Sequence, residues 1–127
     1  EADIEGIARS FGMKDIHKVN PMDLAVVREA LNASLAFEGP SLIITRYPCV
    51  LKKWSQEDKD EFAPDRTPYF VDHDKCIGCR SCIRVGCPAL SYDKNAKKAS
   101  VDPRACAGCG VCAQVCPKQA ISRKAGE

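Results

Sequence analysis

Apolar positions in the first half of the chain change period from segment to segment. Ile4, Ile7, Ala8 and Phe11 recur at helical spacing behind Asp3, an N-capping residue type, and Gly12 can close the helix. Residues Ile16 to Val19 follow as a short strand. Asn20 then reads as the cap of a second helix, with Pro21 in its first position and Asp23 where a capping-box acid would sit. Val19 and Leu24 are spaced as a hydrophobic staple. The helix should carry Leu24, Val27, Leu31 and Leu35 on its apolar face and stop at Gly39-Pro40. Ser41-Leu42-Ile43-Ile44-Thr45 has the unbroken apolar run of a strand buried on both faces, as in a parallel sheet. Residues 1–47 therefore predict an α/β fragment of a doubly wound domain. Two helices and two strands cannot cover both faces of a parallel sheet. The missing strands are expected upstream of Glu1 or on another chain, and the chain is expected to be a piece of something larger.

The periodicity then lapses. Residues 48–69 are charged and punctuated by proline, which predicts a linker with at most one short helical turn. The only tryptophan, Trp54, is expected to anchor that linker by packing. Beyond it the pattern is a repeat. Val71-Asp72 aligns with Val101-Asp102. Cys76, Cys79 and Cys82 then match Cys106, Cys109 and Cys112 at an offset of 30, and Cys87-Pro88 matches Cys116-Pro117 at 29. The first copy thus holds one additional residue, near Gly86. Tyr92 and Val101 flank Asp93-Lys94-Asn95, a hairpin tip between the copies.

Nine cysteines in 127 residues leave three readings: disulfides, zinc, or iron–sulfur clusters. No signal peptide is evident and no apolar run spans a bilayer, so a cytoplasmic, reducing location is expected, which disfavours disulfides. Structural zinc pairs two separate C-x2-C knuckles, and three cysteines in one run leave a surplus thiolate. The second copy reads C-x2-C-x2-C-x3-C-P, the ligand run of bacterial two-cluster ferredoxins, in which the fourth cysteine serves the other cluster. By that rule one [4Fe–4S] cluster takes Cys76, Cys79, Cys82 and Cys116, and a second takes Cys106, Cys109, Cys112 and Cys87. Gly78, Gly108 and Gly110 are expected to let the backbone approach the clusters, and Ile77, Ile83, Val85, Val111 and Val115 to keep them dry. Cys49, outside the repeat, is expected to be a buried structural thiol. His73 is not needed as a ligand, and His17 is expected to be structural.

Charge changes the picture little. Residues 1–70 carry 9 Lys/Arg against 12 Asp/Glu, and residues 71–127 carry 10 against 5. Two clusters with their thiolates add a formal charge of about −4, so the basic half is compensated without a nucleic acid or a membrane as partner.

Residues 71–122 resemble the bacterial two-[4Fe–4S] ferredoxin domain. More narrowly, the chain resembles the C-terminal end of the alpha subunit of indolepyruvate ferredoxin oxidoreductase. The residues that carry this are Val19-Asn20-Pro21, Gly39-Pro40-Ser41-Leu42-Ile43-Ile44, Arg46-Tyr47-Pro48-Cys49 and the run Cys76–Pro88, with its four-residue gap before Cys87. The resemblance implies an α+β protein: residues 1–47 as the tail of a thiamine-diphosphate-binding domain, 48–69 as linker, and 70–124 as a pseudo-twofold, ferredoxin-like domain of short hairpins and two helices. It implies an enzyme that decarboxylates aryl 2-oxoacids oxidatively to acyl-CoA and CO2. Its partners would be the rest of the alpha subunit, a beta subunit and ferredoxin as acceptor. Relatives specific for pyruvate or 2-oxoglutarate, and a free-standing ferredoxin-type carrier, remain alternatives. The Gly-Asp-Gly and Asn-Asn segments that bind thiamine diphosphate and magnesium in that family do not occur in residues 1–70. Those cofactors are expected only in the full-length subunit, and this chain alone is expected not to turn over substrate.

Overall fold

The computed structural model describes residues 2–123. Glu1 and Lys124, the last residue of the expected ferredoxin domain, lie outside the described residues. The chain divides into two units, Glu1–Tyr47 and Pro48–Glu127.

In the first unit, α1 (Ile4–Ser10) is capped by Asp3, whose carboxylate accepts the Gly6 N–H at 2.9 Å. Strands β1 (Asp15–Val19) and β2 (Ser41–Thr45) pair in parallel, from Asp15 opposite Ser41 to Val19 opposite Thr45. Helix α2 (Leu24–Ala36) joins them. It starts three residues later than the sequence pattern suggests. Asn20 spends its side chain inside a turn, accepting the Met22 N–H at 2.9 Å. Asp23 caps instead, accepting from Ala25 and Val26. Leu24 is therefore the first helical residue, too early to staple against Val19. The apolar stripe is also rotated. Ala30 is buried and Val27 half-buried, whereas Leu31 and Leu35 stand exposed, Leu35 at 83%. Strand β2 is half-buried along most of its length rather than covered on both faces. His17 is structural, with Nε2 3.0 Å from Asp15 Oδ1.

In the second unit the stretch expected as linker holds α3 (Gln56–Phe62), closed by a full capping box between Ser55 and Asp58. Lys52 Nζ lies 2.8 Å from Asp58, and this bond first, then those from Ser55, lower the Asp58 carboxyl to about 2. Trp54 anchors the stretch to itself: the Arg66 guanidinium stacks 4.3 Å over its ring and donates to the carbonyls of Val50 and Lys52. Trp54 Nε1 donates to the carbonyl of Cys49. The Cys49 thiol is exposed, not buried as expected. The loop uses its carbonyl and leaves its side chain outside.

The repeat folds by exchange. Strand β3 (Tyr69–Val71), from the first copy, pairs antiparallel with β6 (Ile121–Arg123), from the end of the second. Strand β4 (Leu90–Asp93) pairs with β5 (Lys98–Val101) across the expected hairpin, whose tip is held by Asp93 accepting from Asn95 and Ala96. Two hydrogen bonds mark the pseudo-twofold: the Asp72 N–H donates to Ala120 O at 2.7 Å, and the Asp102 N–H donates to Ala89 O at 2.8 Å. The core is small. Cys82, Ala99, Cys112 and Ile121 are its buried members, so two of the four are cysteines. Among the described residues, no helix is long and apolar enough to cross a membrane.

Candidate metal centre

Each cysteine run is launched by an aspartate. Asp72 accepts the N–H groups of Asp74 and Lys75 on its side chain and that of Cys76 on its carbonyl. Asp102 accepts the Arg104 N–H on its side chain, as Asp72 does that of Asp74, and the Ala105 N–H on its carbonyl. Both are short polar residues that turn the chain by bonding their own neighbours. The repeated Val-Asp pair is therefore the end of a strand plus the turn that delivers the first cysteine.

The turns between ligands need left-handed backbone. Gly78 and Gly108 have φ of +70° and +71°. A Cβ on Gly78 would lie 2.3 Å from Lys97 O, and one on Gly108 would lie 2.4 Å from Asp65 O. Within the protein, then, the close approach these glycines permit is to the segment that leads into a strand, before β5 at the first loop and before β3 at the second. The next left-handed position differs between copies. Gly110, at φ +76°, has Tyr69 Oη 2.7 Å from where a Cβ would sit, while its counterpart Arg80 holds φ +62° and stacks 4.4 Å over Tyr92. At the second loop an Arg–Tyr pair also forms, but both members come from strands. Arg123 lies 5.0 Å over Tyr69, donates to Gly108 O at 2.9 Å and pairs with Asp65.

Behind the third cysteine the copies diverge again. In the second copy Cys112 lies inside α4 (Val111–Gln114), while in the first Cys82 precedes a 3-10 turn at Ile83–Val85 that leaves through Gly86 at φ +74°. Gly86 is the additional residue of the first copy. The structure adds a second difference that the cysteine alignment does not show. Ala89 and Ala120 hold matching places, so the second copy is two residues longer after its Cys-Pro.

These elements bring the predicted residues together as two sets. Cys76, Cys79, Cys82 and Cys116 line one cavity, with Val71, Ala99 and Ile121 behind them. Burial raises the Cys82 thiol, and the neighbouring Cys116 and Cys76 raise it further. Around Cys112 the neighbours are Cys109, Cys106 and Cys87, and burial first, then these three, push its thiol up to about 11. Thus the fourth cysteine of each copy lies beside the other copy's first three. Cys79 goes the other way. Hydrogen bonding with Ser81, whose Oγ is 3.5 Å from Sγ, lowers its thiol. The apolar shell is thinner than expected: Ile77 lines the first cavity but is 60% exposed, Val85 is also exposed, and Ile83 and Val115 pack on the core that holds Cys82 and Cys112. His73 is exposed, and only its carbonyl is engaged, by Lys98 Nζ.

The donor set suits an iron–sulfur cluster. Eight thiols divide into two sets of four and none is paired in a disulfide. Among the described residues no three potential ligands converge tightly enough to hold a single metal ion. Four sulfurs set around a space, rather than on a point, fit a cubane better than one zinc ion.

Comparison with known proteins agrees. Residues 68–121 match the family model described as a 4Fe-4S dicluster domain. The chain is 41% identical to indolepyruvate oxidoreductase subunit IorA of Thermococcus kodakarensis, over 98% of this chain and 19% of that protein. It is 40% identical to IorA of Pyrococcus abyssi over 94% and 18%. The chain therefore spans about a fifth of the length of these relatives. Pyruvate synthase subunit PorD of Methanothermobacter marburgensis is 46% identical over 41% of this chain and 59% of its own length. Ferredoxin I of Desulfovibrio africanus aligns at a TM-score of 0.41 and 30% identity, over 46% of this chain and 95% of that one. Residues 68–121 thus match a 4Fe-4S dicluster domain, in a chain that is similar over nearly all of its own length to subunit IorA of indolepyruvate oxidoreductases.

Proposed function

We propose that this chain is the electron outlet of a 2-oxoacid oxidoreductase acting on indolepyruvate or another aryl pyruvate. In the first cluster site, Cys76, Cys79, Cys82 and Cys116 would ligate; in the second, Cys106, Cys109, Cys112 and Cys87. The single observation that carries the reading is the grouping of the eight thiols, in which each copy lends its fourth cysteine to the other copy's site. Bound there, a [4Fe–4S] cluster accepts and releases one electron at a time. The chain's own contribution is to hold the thiolates, turn the backbone around them through left-handed positions, and exclude water from Cys82 and Cys112, which are 7% and 8% exposed.

The domain limits of the reading are 1–47, 48–69 and 70–124. The first 47 residues would be the tail of an α/β domain that binds thiamine diphosphate and magnesium in the longer protein. Exposed Ile4, Ile7, Phe11 and Leu35 support this, because a unit burying only Ala8, Val19 and Ala30 has too little core to stand alone. The rest of that subunit and a beta subunit would be partners, ferredoxin the acceptor, acyl-CoA and CO2 the products of the whole enzyme, and the cytoplasm the location. PorD, named for pyruvate synthase, matches over 41% of the chain, against 98% for IorA, so IorA carries the choice of oxoacid in this reading.

The test is analytical. Anaerobically purified chain should be brown, bleach with dithionite and contain about eight iron and about eight acid-labile sulfide per molecule. A colourless protein that retains zinc overturns the reading.

A further inference from the structure

The two sites share a ligand pattern but not an environment. Each loop holds a cation on a carbonyl, but Arg123 on Gly108 O is neutralised by its pair with Asp65, and the donors aimed at sulfur lie at the first site. Ser81 follows Cys79 by two residues, and its hydroxyl lies 3.5 Å from Cys79 Sγ. As a thiol, Cys79 can donate to that oxygen. As a thiolate it can only accept, so the hydroxyl becomes the donor. The matching residue beside Cys109 is Val111, which has no donor. At the fourth ligand, the Ala120 N–H donates to Cys116 Sγ at 3.3 Å. This bond exists because the second copy is two residues longer after its Cys-Pro. Both copies close a turn on the fourth cysteine's carbonyl, from the Leu90 N–H to Cys87 O and from the Gln119 N–H to Cys116 O, each at 3.1 Å, and the longer copy adds the bond to sulfur. Finally, Lys98 Nζ is held 2.6 Å from Cys76 O, while Pro68 occupies the matching place before the second loop.

Reduction adds one negative charge to a cluster. Donors aimed at its sulfurs, a nearby ammonium and contact with water all stabilise the reduced form more than the oxidised one. We propose that the two clusters are electronically unequal, the first site having the higher potential, and that Ser81 is the side chain that tunes it by donating to the Cys79 thiolate. Ser81 acts through Cys79 and is a positioning residue, not a ligand. The proposal rests on the cluster assignment above. It deepens that assignment by giving the electron a direction, from the covered second site to the exposed first.

The test exchanges the matched residues. The full chain carrying its clusters is titrated anaerobically and the reduced clusters are followed by electron paramagnetic resonance. Two potentials are expected. Ser81→Val should lower only the higher one, cutting that cluster's reduced-to-oxidised ratio at fixed ambient potential about tenfold, about 59 mV for one electron. Ser81→Thr, which keeps the hydroxyl, should restore it. Val111→Ser should raise only the lower one. A wild-type chain whose clusters titrate together, or a Ser81→Val variant that moves neither potential or both alike, overturns the proposal. If no cluster signal appears in the wild type, the assignment itself has failed, which is a different result from two clusters of equal potential.

Discussion

In the loop from Cys76 to Cys82, Ile77, Cys79 and Arg80 all face solvent. In the loop from Cys106 to Cys112, the matched Ala107 and Cys109 are half-buried and Gly110 is buried. The ligand spacing is identical, so the difference comes from what lies on top. The second loop sits under Asp65, Arg66 and Tyr69, fastened by Arg123. The first sits under the β4–β5 hairpin, which offers Lys97 O, the Tyr92 ring and the Lys98 ammonium on Cys76 O. A duplicated motif thus keeps its donor set and diverges through its wrapping. Such wrapping comes from residues far away in the chain and leaves no mark on the spacing.

The largest effect should come from breaking the exchange between copies. Cys87→Ser removes a thiolate that follows the first loop in sequence but lies beside the second in space. Iron should fall from about eight to about four per chain. The surviving cluster should be the one whose potential responds to Ser81→Val. Cys116→Ser should do the converse. If the survivor in Cys87→Ser ignores Ser81, each copy ligates its own cluster and the crossed assignment is wrong.

A smaller effect separates the two left-handed positions. Arg80→Gly relieves a strained φ and loses a cation–π contact, two terms of about 1 kcal/mol and opposite sign, so stability should change by less than about 1 kcal/mol. Gly110→Arg meets the same φ with no room, because Tyr69 Oη already stands 2.7 Å from the Cβ position. It should cost about 1–3 kcal/mol and loosen the second site as Tyr69 gives way. Denaturant unfolding of the cluster-loaded chains measures both. Equal costs would mean that the wrapping of the two loops does not differ energetically.

The repeat and its eight cysteines were legible because ligand spacing is a local property of the chain. So were Asp3 as a cap and the parallel pairing of β1 with β2. What was not legible had non-local causes. Asn20 and Asp23 compete for the same helix start, and the winner depends on which side chain the turn has already satisfied. Leu31 and Leu35 have helical spacing but stand exposed, while Ala30 is the buried residue of α2. Ile77 looked like cluster shielding because apolar residues beside ligands usually are. It does line the first cavity, but with most of its side chain open to solvent. The two-residue surplus after Cys116 was present in the sequence. It became visible only when Ala89 and Ala120, rather than the cysteines, were found to hold equivalent places.

The finest distinction between the loops is chemical and is read in the cluster-free, reduced chain. Hydrogen bonding with Ser81 lowers the Cys79 thiol from the ordinary 9.0, whereas burial raises that of Cys112 to about 11. Alkylation proceeds through the thiolate. At pH 8 Cys79 should therefore be modified first and Cys112 last. The Cys112 rate should climb about tenfold per pH unit until it levels near pH 11, and the Cys79 rate should level below pH 9. The sign of the stability effect follows. A buried thiol whose folded value exceeds its unfolded one favours the fold while neutral, so its contribution is intact below pH 9 and is lost as pH rises through about 11. Site-resolved mass spectrometry after timed alkylation gives the order. If Cys112 reacts as fast as Cys79 across that range, the second loop is not held covered without its cluster. The contrast in wrapping would then be a property of the loaded protein rather than of the chain.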